Sequence, residues 1–267
     1  MYVEKDDFRQ SYVVAKNEIL KFIRGKKFIV YVAIVALVFL LYTILPFITG
    51  ESFSELYQLA GGTVPAYLSF MNIIVILGAT LFASNTIVSE FEERTALVLF
   101  TRPIKKTSIF LGKIIGCIIV ETVMVVLFYL GTAVVSQLAD GFVPIDLFTG
   151  LGIAFLFIIA STGIAMLISS ILKKSGTSAV LTFFLLLLII PMISLMVSIS
   201  GVDPWFMLNH ASSLMVPSYQ VYTDALTGVS TVIKLPMEHV ARATGVLIIW
   251  AMGTSFVAWL MFTRREF

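Results

Sequence analysis

Charge is scarce in this chain: 13% of its residues are Asp, Glu, Lys or Arg, where a soluble domain carries about a quarter. With so thin a polar skin and a mean hydropathy of +1.01, the chain must face lipid, where a helix satisfies its backbone internally. A single cysteine, Cys117, excludes an internal disulfide and a thiolate metal cluster. The two histidines are His210 and His239, and no metal site is expected. No Gly-x4-Gly-Lys-Ser/Thr phosphate cradle occurs, because Gly112-Lys113 is followed by Ile114. A Gly-x-Ser-x-Gly nucleophile elbow is also missing. The chain is therefore expected neither to hydrolyse ATP by itself nor to hold a cofactor, and no nucleic-acid partner is expected.

What is present is apolar and periodic. Runs near residues 28–48, 68–87, 114–135, 151–171, 178–199 and 243–262 are each long enough to cross about 30 Å of hydrocarbon at about 1.5 Å per residue. They predict a single all-α integral membrane domain, 1–267, with six transmembrane helices. Charged residues such as Glu4, Lys5, Asp6, Asp7 and Arg9 precede the first run, which is unlike a cleaved leader, so the first span is expected to be retained.

The bases set the direction. Of the 18 Lys and Arg residues, all but Lys234 and Arg242 fall before residue 28, between residues 94 and 113, at Lys173-Lys174, or at Arg264-Arg265. Positive residues favour the cytoplasmic side, so a multi-pass cell-membrane protein with both termini cytoplasmic is predicted. Before the first span, Phe8, Tyr12, Ala15, Ile19, Phe22 and Ile23 recur at helical spacing among Lys16, Lys21 and Arg24. That pattern reads as an interfacial helix over 1–27, with an ordinary charged lead-in as the alternative. The long external segment 200–242, with Trp205, Phe206, Pro217, Tyr219 and Tyr222, is expected to form short helices on the outer mouth. Its aromatics suit interfacial anchoring as well as substrate contact.

Charge gathers again in SEFEERTALVLFTRPIKK, residues 89–106. Ser89 and Glu92 have the spacing of a capping box, and Glu90, Glu92 and Glu93 would fill a first helical turn. Glu90 and Arg94 stand four apart and could pair, while Pro103 blocks continuation beyond Arg102. A short helix over 89–103 follows, or else a solvated end of the second span.

In order, an acid, Glu-Arg-Thr, aliphatic residues, Arg-Pro, a basic pair and a Leu-Gly-Lys resemble the first cytoplasmic loop of permease subunits of type-2 ABC exporters. Glu90, Glu93, Thr95, Leu97, Leu99, Pro103, Gly112 and Lys113 match that pattern, while Arg94 stands where glycine is common. The resemblance extends to the interfacial helix, the six spans, the short Lys173-Lys174-Ser175-Gly176 turn and the large external segment, nearly the whole chain. It implies that 89–103 is a coupling helix seated on a cytoplasmic ABC ATPase subunit, with Glu90, Glu93, Arg94, Thr95, Leu97 and Arg102 fixing its register, Val98, Leu99 and Phe100 as apolar anchor, and Pro103 as its stop. It also implies a second permease copy, identical or related, and ATP with Mg bound by the partner ATPase. An ATP-driven exporter working by alternating access is the function so implied. A non-transporting membrane scaffold or assembly factor is the alternative.

Glu121 is the one acid within an apolar run. With Asn72 and Asn85 it is a candidate for a translocation pathway, the alternative being a hydrogen-bonded structural acid. An intramembrane protease fails on spacing. Glu92-Glu93-Arg94 resembles the paired glutamates of CAAX-type proteases only superficially, and both histidines are predicted across the membrane from it.

Overall fold

Six apolar windows have to bond their backbones internally in lipid, and helices are what form. The computed structural model describes residues 3–57, 60–93, 105–216, 219–223, 230–234 and 237–265. The six long apolar helices are Lys26–Thr49, Thr63–Glu92, Lys106–Ala139, Asp146–Ile171, Ser175–Ile199 and Glu238–Arg264, the first to sixth spans. The architecture is thus the all-α membrane bundle expected. A further helix, Val3–Ile23, precedes the first span. The second and fourth spans form the core, with 67% of each apolar window buried, against 11% for the first span and 22% for the fifth.

The helix Val3–Ile23 is pressed against the third span. Ser11, Ala15 and Glu18 form its buried strip, and this strip meets Gly112 and Gly116. A Cβ added to Gly112 would stand 2.6 Å from the Val14 Cβ and 2.7 Å from the Ser11 carbonyl oxygen. Two glycines four apart bring helix backbones close where no hydrophobic effect can do so. The helix of the third span starts at Lys106, ahead of the apolar run near 114, and the helix Val3–Ile23 covers its first turns, where Lys113 meets Glu18 and Glu90.

The second span is irregular. Its helix is interrupted at Ser69-Phe70, widens to a π turn at Ala79–Ala83, and breaks again at Ile87. Hydroxyls of Thr80, Ser84 and Thr86 donate to carbonyls four residues back, contacts that loosen and bend helices. A second π turn, Leu185–Ile189, lies in the fifth span.

At the end away from the basic clusters, Tyr129 donates to the Met215 carbonyl at 3.1 Å and Trp250 to the Phe206 carbonyl at 3.1 Å, holding the external segment over the bundle. Its short helices are Leu208–Ser212 and a 3-10 turn, Ser213–Met215. Beyond them the expectation of helices is corrected: Tyr219–Thr223 pairs antiparallel with Ser230–Lys234, Val221 opposite Val232. Tyr, Val, Thr and Ile favour an extended, pleated backbone over a helical one. The capping box formed outside the spans is Ser52 with Glu55.

Candidate functional site

The last turns of the second span are where the helices converge. The break at Ile87 frees backbone groups that an apolar surrounding cannot leave unbonded. Ser169 of the fourth span accepts from the Ile87 and Val88 amides at 3.2 and 3.0 Å. Ser178 of the fifth span donates to the Ser84 carbonyl at 2.6 Å. Lys113 of the third span donates to the Thr86 carbonyl at 3.3 Å. Asn85, with its amide oriented to suit its neighbours, donates to the Ser175 carbonyl at 2.9 Å and accepts from Lys27 of the first span at 3.1 Å.

The three acids that follow have separate tasks. Glu90 is buried and bonds to the Lys113 ammonium, which also binds Glu18 of the helix Val3–Ile23. Lys113 is itself buried, 1% exposed. Glu92 accepts from the Ser175 amide at 2.9 Å, so an acid from one span caps the N-terminus of another, where an anion suits the dipole. Glu93 is exposed and rims a cleft of about 340 Å³ shared with Lys21, Lys26 and Lys27. The capping box expected at Ser89 and Glu92 does not form. Ser89 is the second residue of the helix Val88–Glu92, whose N-cap position is held by Ile87 and has no side-chain cap.

Phe91 completes the convergence. The Arg265 guanidinium, just beyond the sixth span, lies 4.0 Å over its ring and donates to the carbonyls of Ser169, Ser170 and Leu172 at 3.2, 3.0 and 2.8 Å. Arg265 thereby closes the C-terminal end of the fourth span, where a cation is favoured. On the far side of the 94–104 segment, Lys106 donates to the carbonyls of Thr263 and Arg265 at 3.2 and 3.4 Å. Arg94, Thr95, Leu97, Val98, Leu99, Phe100, Arg102 and Pro103 themselves lie outside the described residues. The flanks of their segment touch every span and the helix Val3–Ile23. Such an arrangement ties the ends of the spans to one another, and among the described residues none of its groups is set as a nucleophile with a base.

The candidate pathway residues occupy three different levels. Asn72 accepts from Ser212 at 3.3 Å near the external segment, and Asn85 belongs to the convergence described above. Glu121 lies between them. It stands about 22 Å along the helix that starts at Lys106. It is fully buried and so close to Gly78 that a Cβ there would lie 2.7 Å from the Glu121 Cδ. Its carboxyl faces the Thr162 hydroxyl and the amide of Ala79, where the π turn opens, yet neither oxygen closes a hydrogen bond, nor does the Thr162 hydroxyl. Among the described residues, Asn72 and Asn85 stand toward opposite ends of the second span, and Glu121 packs between them at Gly78.

Glu18, Lys27, Ser169 and Ser178 are members of the convergence that sequence reasoning missed, and Lys113, Ser175 and Arg265 entered it only as parts of the family pattern, a turn and a basic pair. One signal was available: a lysine followed by a long apolar run, four residues before which no loop chemistry occurs, can belong to the run itself, and a charge inside a span asks for a partner. The family model described as ABC-2 family transporter protein matches residues 12–267. No curated protein matches the chain by sequence.

Proposed function

Since the chain belongs to the ABC-2 family of transporter proteins, a family of membrane permeases and not of ATPases that work with ABC ATPase subunits, we propose that it is the permease of an exporter in the cell membrane. Both termini and the 89–103 segment are cytoplasmic in this reading. The segment is the coupling helix, seated on an ATPase subunit that binds ATP and Mg. Two permease copies, identical or related, pair with two ATPase subunits. Closure of the ATPases pushes the coupling helices and switches the bundle between inward and outward access.

The observation that supports this reading is the convergence on residues 84–93. Glu90 holds the third span, Glu92 the fifth, and Phe91 meets Arg265, which closes the fourth. Force applied to 94–104 therefore enters the bundle at one place and leaves through all its helices. A loop that merely ended a span in water would need none of these ties.

Glu93→Lys reverses an exposed acid that, unlike Glu90 and Glu92, ties no other span, and Leu99→Asp places a charge in the expected apolar anchor. Spoiling a docked charge pair typically costs about 2 to 5 kcal/mol, more than tenfold in affinity, whereas a solvated surface site changes by about 0.5 kcal/mol or less. Co-purification of the tagged permease with its ATPase, and ATPase activity in lipid, are expected to fall for both variants. Unchanged yield and unchanged stimulation in both would reject the docking role.

A further inference from the structure

Between the helix Val3–Ile23 and the third span runs an open groove of about 720 Å³, within the roughly 300 to 1,000 Å³ of small-molecule sites. We propose that it binds one anionic phospholipid, with an acyl chain along Leu111, Ile115 and Ile119 and the headgroup between Lys16 and Lys105.

The wall on the third span is a single stripe. Leu111, Ile115 and Ile119 recur every four residues and are each more than 40% exposed. Opposite them, Phe8 is 84% exposed and Tyr12 69%. The two walls cannot meet, because the Gly112 and Gly116 seam holds the helices together along a different face and leaves this one splayed. The groove is concave, unlike the convex flank of a lipid-facing span, so a single chain is enclosed on two sides. Charge decides the headgroup. Lys16 and Lys105 both line the groove and both are exposed, at the base-rich end of the bundle. Bases beside a bilayer attract anionic lipid, roughly fivefold for each, and a zwitterionic headgroup gains little from them. A tyrosine at that depth suits the boundary between headgroup and chain.

A reporter is already in place. Trp259 donates to Thr107, a groove residue, at 3.3 Å, while Trp205 and Trp250 lie with the external segment. The full chain carrying Trp205→Phe and Trp250→Phe is placed in phosphatidylcholine nanodiscs containing a small fraction of phosphatidylglycerol brominated on its acyl chains. Trp259 fluorescence is expected to be quenched several-fold beyond what that mole fraction gives, and brominated phosphatidylcholine at the same fraction should quench only in proportion. Lys16→Glu with Lys105→Glu is expected to abolish the excess, as is raised salt. Leu111→Trp is avoided as a filler because it adds a fluorophore. Ile115→Phe, which narrows the groove and keeps its charge, is expected to reduce the excess. Equal quenching by both lipids, or an excess that survives the double charge reversal, would overturn the proposal. A cross-link from Tyr12→Cys to a second copy or to an ATPase would also overturn it, since the groove would then be a protein interface.

Discussion

Lys113 ties two carboxylates from different parts of the chain together in a buried place. Lys113→Met removes the cation and leaves Glu18 and Glu90 buried against each other. Breaking a buried ion pair from one side costs about 3 to 5 kcal/mol, so the variant is expected to lose folded yield and melt early in detergent. The triple change Lys113→Met, Glu18→Gln, Glu90→Gln takes the charge out of the whole cluster and is expected to recover much of that loss. Equal melting of the single and triple variants would mean that the cluster holds nothing. These partners were illegible in the sequence because they stand 95 and 23 residues from Lys113, and pair rules within one helix do not reach that far. Glu121 was legible for the opposite reason: the one acid within an apolar run stands out without knowledge of its partners. Its contact with Gly78 and the π turn was not, since no pattern marks a π turn.

Among the elements, the helix Val3–Ile23 is held by a seam and not by the bilayer surface alone. Gly112→Leu would push its side chain into Val14 and the Ser11 carbonyl, both within 2.7 Å of an added Cβ. Overpacking of this kind costs about 1 to 3 kcal/mol, enough to lift the helix and expose the Glu18 and Lys113 contact. Limited trypsin digestion should then cut faster after Lys16 and Lys21. Gly152→Leu, where nothing lies within 4 Å of an added Cβ, should leave digestion unchanged and controls for glycine replacement as such. The amphipathic spacing of Phe8, Tyr12, Ala15 and Ile19 announced this helix, but its docking partner is set by backbone approach, which composition does not encode. The hairpin Tyr219–Thr223 with Ser230–Lys234 was missed because its apolar residues were read for bulk and not for their alternation.

For the whole molecule, six apolar windows sufficed to give the number of long apolar helices, since bilayer thickness fixes their length. Side assignment rests on the bases, and it is testable. Lys174→Cys and Ser213→Cys, both at exposed positions, are expected to label from opposite faces of sealed cells, with Cys117 replaced. Labelling from one face would overturn the proposed cytoplasmic placement of residues 89–103. The cluster at Lys113 bears, finally, on how the bundle is made. A lone lysine entering hydrocarbon costs about 2.5 to 3.5 kcal/mol at insertion. Both its acids precede it in the chain, so they have already left the ribosome when Lys113 emerges. The third span can enter the bilayer against counter-charges that are waiting for it, and the later spans close over a site already neutral enough to bury.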